Sequence, residues 1–160
     1  MKISKYFVVF GLSLLVGACD IGKGELDIDI GDYEAQLAAW NSQNMLDYLI
    51  SVEISSIATG LRDEAVISVK NGNPECSDPP SWLEEGRLST IPEFYSFVKE
   101  VEERKRKEPK NEYSISSLKV SYDTEYHYPN YISDSVSHGS ADGAWTHREY
   151  FVTLTPLGET

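Results

Sequence analysis

In YLISVEISS, residues 48–56, Tyr48, Ile50, Val52 and Ile54 alternate with Leu49, Ser51, Glu53 and Ser55. Successive side chains of a strand point to opposite faces, so this spacing predicts a strand buried on one side. A sheet that is dry on one side needs a cover. Two stretches of helical spacing can supply it. From Asp32, a candidate cap, Tyr33, Leu37 and Trp40 recur four and three apart, and NSQN at 41–44 ends the run. Thr90-Ile-Pro-Glu93 reads as a capping box with proline in the first turn, followed by an apolar stripe of Phe94, Phe97, Val98 and Val101. Glu100–Arg104, Glu102–Arg106 and Glu103–Lys107 are oriented to pair on the outer face, and Pro109 marks the stop.

The remaining strands follow the same logic. Thr59-Gly60 turns the chain into a second alternation, Ala65, Ile67 and Val69, closed by Asn71-Gly72, a favoured two-residue hairpin turn. NPECSDPPSW can add a brief strand before its prolines force a loop. Ile115, Leu118, Val120 and Tyr122 lead into a strand, DTEYHYP turns, Tyr131 to Val136 returns, and Tyr150, Val152 and Leu154 form a closing strand ended by Pro156. These elements predict an α+β fold in two layers. An antiparallel sheet of about four to six strands carries two helices packed on one face, in helix-hairpin-helix-hairpin order.

The amino terminus is of another kind. Lys2 and Lys5 precede an apolar run over 6–16, then Gly17, Ala18 and Cys19. A spanning helix needs about 20 apolar residues, so the run is too short, and its form fits a secretory signal. Val-Gly-Ala-Cys resembles the lipobox of bacterial lipoproteins, against the alternatives of ordinary cleavage or an uncleaved anchor. The resemblance implies a signal peptide at 1–18, diacylglycerol and acyl chains such as palmitate on Cys19, a lipidated tether at 19–31 and one domain at 32–157. Two or three acyl chains hold a protein firmly where one does not. The address expected is the cell envelope, anchored to a bacterial membrane and facing the periplasm or the surface. Asp20 resembles an inner-membrane retention signal of enteric bacteria, a rule that does not hold across bacteria, so inner and outer membrane both stay open. LDIDI, 26–30, alternates and can add a short edge strand. As a calcium loop it fails, because Gly31, Asp32 and Ala38 stand where the loop requires acid, glycine and glutamate.

Removing residues 1–18 takes Lys2 and Lys5 with it and moves the formal charge from −12 to −14. Such a body repels nucleic acid and anionic headgroups and steers in a cationic partner. The basic run 105–107 belongs to a helix end rather than to a nucleic-acid site. With Cys19 lipidated, Cys76 has no internal partner, and Glu75 and Asp78 beside it disfavour a thiolate. His127, His138 and His147 lack metal-ligand spacing in sequence, though converging loops could join them to Asp142 or Glu149. No catalytic serine elbow, phosphate loop or dinucleotide motif is present. No cofactor is expected.

VSYDTEYHYPNYI, 120–132, resembles a motif of small bacterial lipoproteins of the domain of unknown function 6174 family, roughly V-x-Y-D-x-x-Y-G-Y-P-x-x-I. Val120, Tyr122, Asp123, Tyr126, Tyr128, Pro129 and Ile132 match, and the likeness extends over about 32–157 with Trp40, Tyr48 and a closing Thr-Pro-Leu at 155–157. His127 replaces the motif's glycine, which implies a left-handed backbone angle there. Ser55 and Ser56 stand where some relatives carry cysteine, which speaks against a redox role. The family implies a lipoprotein without an assigned activity. From the residues themselves, Asp123 can start the turn and Pro129 keeps Tyr128 extended. Tyr122, Asp123, Glu125, Tyr126, Tyr128 and Tyr131 are then the candidate partner-binding residues, set against a purely structural role for the tyrosines. The expected function is a non-catalytic envelope module that grips a protein, peptide or glycan. The alternative is a small envelope hydrolase or weak metal binder using the loop histidines.

Overall fold

The computed structural model describes residues 26–84, 88–107, 115–137 and 145–158. Cys19, His138, Asp142 and Pro109, on which expectations above depend, lie outside the described residues. In chain order the elements are β1 (Leu26–Asp29), α1 (Tyr33–Ser42), β2 (Tyr48–Ser56), β3 (Leu61–Lys70), β4 (Asn73–Glu75), α2 (Ser81–Glu84), α3 (Ile91–Lys107), β5 (Ile115–Tyr122), β6 (Pro129–Ser137) and β7 (Trp145–Pro156). α2 is a single turn.

All seven strands join one sheet in the order β1-β5-β6-β7-β2-β3-β4. The expectation of four to six antiparallel strands in helix-hairpin-helix-hairpin order is thereby overturned. The sheet is mixed, because β1 runs parallel to β5, with Ile28 beside Leu118. Part of what the sequence marked as tether is thus an edge strand placed before the first helix. The late strand β7 does not close an edge either. It lies in the middle, antiparallel to β6 on one side and to β2 on the other, with Val152 opposite Val52.

One side of this sheet is covered. Ile50, Val52, Ile67, Val69, Leu118, Ile132 and Val152 share an apolar core with Tyr33 and Trp40 of α1 and with Phe94, Tyr95, Val98 and Val101 of α3. Aromatic edges lock the helices to one another and to the sheet: Tyr33 meets Tyr95 at 5.5 Å and Trp40 meets Tyr48 at 5.7 Å between centroids, both near perpendicular. The start of α3 is fixed by the acid of the expected capping box. Glu93 Oε2 accepts from the Thr90 N–H at 3.0 Å, the Ser89 N–H at 2.6 Å and the Ser89 hydroxyl at 2.8 Å. Asp32, by contrast, makes no side-chain cap to α1.

The basic run at the end of α3 divides. Arg106 and Lys107 form the expected pairs with Glu102 at 2.9 Å and Glu103 at 3.1 Å. Lys105 instead turns inward. Its side chain is 0% exposed, with Nζ at 2.6 Å from Asp134 Oδ1, donating also to the Ser116 hydroxyl and the Ser135 carbonyl. Arg104 holds the other Asp134 oxygen at 3.2 Å. A buried ammonium is tolerated when paired and hydrogen-bonded in this way.

Candidate functional site

The tyrosine turn is built as its motif implies, but it points inward. Asp123 Oδ1 accepts from the N–H groups of Glu125 at 2.9 Å and Tyr126 at 2.6 Å. His127 takes a φ of 58°, the left-handed angle expected where the motif carries glycine. Both helices clamp this turn. The Tyr95 hydroxyl donates to the His127 carbonyl, Gln43 donates to the Tyr126 carbonyl at 3.1 Å, and His127 Nδ1 lies 3.0 Å from Gln36 Oε1.

The candidate tyrosines are consequently dispersed. The Tyr122 hydroxyl donates to the Ile30 carbonyl at 3.1 Å while its ring stacks on Tyr95. Tyr128 is buried, and its oxygen accepts from the Leu154 N–H at 3.1 Å. Burial pushes the phenols of Tyr95 and Tyr122 above the ordinary tyrosine range. Tyr126 is half-buried beside exposed Glu125, and a hydrogen bond to that carboxylate holds its phenol up as well. Asp123 spends its carboxylate inside the turn. Of the six candidates, Tyr131 alone reaches the sheet's uncovered side.

That side is rich in hydroxyls, because the polar positions of the strand alternations fall on it. Ser51, Ser55, Ser117, Ser133, Ser135 and Thr153 all belong to it by register. Near its middle lies an aromatic pair. Tyr131 and Phe151, directly opposite on β6 and β7, have centroids 5.2 Å apart, and Phe151 is 42% exposed. Next to them stands Glu149. It accepts from the Tyr131 hydroxyl at 2.7 Å and from Ser55 at 3.2 Å, with His147 Nε2 at 3.4 Å. The Tyr131 hydrogen bond foremost, then those of His147 and Ser55, hold its carboxyl below the usual range despite partial burial. Glu53, opposite Phe151 on β2, adds a second carboxylate, itself paired with Arg62 at 2.7 Å.

Phe151 and Ser55 were not among the candidate partner-binding residues, although Phe151 carries a signal: it fills a slot that the β7 alternation reserves for a polar residue. His147 and Glu149 do meet, as the hydrolase alternative requires of a histidine and an acid. They meet on the open sheet face, and Ser55 donates to Glu149, so the cluster shows an acid with three donors and no serine–histidine pair. Among the described residues no group of three or more histidines, cysteines or carboxylates could hold a metal ion. Cys76 is a free thiol 3.5 Å from the Val66 carbonyl. Among the described residues no helix is long and apolar enough to cross a membrane.

No curated protein and no solved structure matches this chain. A family model does, from the residue before α1 into β7, residues 32–149, which takes in both long helices and the tyrosine turn. A match over well more than half of the sequence places the chain in the family of unknown function DUF6174.

Proposed function

We propose that this domain is a non-catalytic binding module, anchored in a bacterial cell envelope by lipid on Cys19, and that it holds a basic peptide segment on the open face of its sheet. The observation that carries this reading is the Tyr131–Phe151 pair, with Phe151 exposed and Tyr131 half-buried, standing beside an ionised Glu149 on a face rich in hydroxyls. Aromatic faces attract guanidinium and ammonium groups, and a carboxylate alongside them completes the recognition. The excess of 26 acidic over 14 basic residues steers such a partner towards the molecule. The binding surface thus moves from the tip of the tyrosine hairpin to its return strand and the neighbour of that strand.

Such an anchor would keep the domain close to the bilayer. If Cys19 carries the lipid, the six residues 20–25 separate it from β1, and six residues reach at most about 20 Å when fully extended. Mass spectrometry of the protein from native membranes tests the anchor: the expected amino terminus is a diacylated Cys19, and one still beginning at Met1 overturns it. The face is tested by titrating the lipidated full chain with Arg/Lys-rich, acidic and neutral peptides and with soluble cell-wall glycan fragments. Basic peptides should saturate the protein, lose affinity as salt rises, and fail on the Tyr131→Ala, Phe151→Ala double variant. Preference for glycan, or binding indifferent to the double variant, would refute the reading.

A further inference from the structure

The covered side of the sheet holds a cleft of about 400 Å³ between α3, the end of β2 and the starts of β3 and β7. Ligand pockets fall at about 300–1,000 Å³, mostly apolar with a few placed polar groups. The apolar part of the lining is Ile54, Leu61, Leu88, Phe97 and Val101, with Ser56 and Thr59 beside it. Two guanidiniums, Arg104 from α3 and Arg148 from β7, line the same cleft together with the Tyr150 phenol and one carboxylate, Glu100.

The two arginines differ. Arg104 is engaged by Asp134 at 3.2 Å. Arg148 is exposed beside the Tyr150 phenol and opposite Asp134 in register, and it forms no ion pair among the described residues. In a chain this rich in acid that is unusual, since carboxylates outnumber basic side chains by 26 to 14. A guanidinium offers five N–H donors in a planar fork suited to a carboxylate. The rest of the cleft is largely apolar, with Leu61 at its exposed rim.

We propose that this cleft binds a single-chain carboxylate amphiphile, its head on Arg148 with Arg104 nearby and its tail among Leu61, Phe97 and Val101. The site is on the opposite side of the sheet from Tyr131 and Phe151, so it stands or falls independently of the peptide-binding face.

The test is calorimetric titration of the full chain with octanoate, decanoate and dodecanoate below their micelle concentrations, with dodecanol and dodecyltrimethylammonium as uncharged and cationic counterparts. A single saturable site is expected. Its affinity should rise about fourfold per methylene, dodecanoate should bind at least tenfold tighter than dodecanol, and the cation should not bind. Arg148→Gln should bring dodecanoate down to the level of dodecanol while leaving dodecanol unchanged. Leu61→Glu, at a position 45% exposed, should weaken dodecanoate at least tenfold, with circular dichroism confirming the fold of both variants. No saturable binding, equal affinity for acid and alcohol, or an Arg148→Gln protein that binds dodecanoate like the parent would each overturn the proposal.

Discussion

The two faces of the sheet are made from the same strands and serve opposite ends. On β2, Ile50 and Val52 are wholly buried, while the alternate residues Ser51 and Glu53 face outward. The covered face is crowded with rings and aliphatic chains that interlock with both helices. The open face carries hydroxyls, scattered charge and one aromatic pair. Stability therefore resides on one side, which leaves the other able to vary its chemistry without loss of the fold.

Truncation of a ring is the sharpest way to break this contrast. Phe94→Ala, on the covered side, should cost about 3–5 kcal/mol in urea unfolding, whereas Phe151→Ala should stay within about 0.5 kcal/mol of the parent. Comparable losses would mean that the open face helps to hold the fold. Next comes the ion pair under α3. Asp134→Asn strands the buried Lys105 ammonium and should cost about 3 kcal/mol, most of it recovered when Lys105→Met is added. A smaller effect separates two tyrosines of one hairpin. Tyr128→Phe leaves the Leu154 N–H without its acceptor and should cost about 1–2 kcal/mol, while Tyr131→Phe, whose hydroxyl donates on the open side, should cost less.

The smallest effect is one of pH. Glu149 has its carboxyl held below the ordinary range in the folded chain. Its contribution is therefore complete above the unfolded value, about 4.3, and disappears as pH falls through the lower folded value. Urea unfolding from pH 6 downward should show a steeper loss below about pH 4.3 for the parent than for Glu149→Gln. Parallel curves would place Glu149 outside the balance.

What could be read in the sequence was whatever a few neighbouring residues decide. The Glu93 cap, the Asn71-Gly72 turn with φ of 49° and 75°, the β2 alternation and the Asp123 turn all have their determinants within a few positions. Long-range pairing was not legible. LDIDI alternates like any strand, and nothing near it says that its neighbour is β5, some 90 positions on and parallel, because a parallel partner is reached only through a long crossover. The inward turn of Lys105 depends on Asp134, which β6 delivers from elsewhere. The site was half visible for the same reason. Tyr131 was named, but the Tyr122 and Tyr128 hydroxyls find backbone partners in β-strand neighbours and linkers far along the chain, at Ile30 and Leu154. Phe151 became meaningful only once register set it beside Tyr131.

The central place of β7 has a kinetic corollary. The β1-β5-β6 block and the β2-β3-β4 block touch one another in the sheet only through residues 145–156. A chain synthesised from its amino end can assemble neither half into the finished sheet until that stretch has emerged, and such non-local closure is slow. One late segment therefore zips the whole sheet shut.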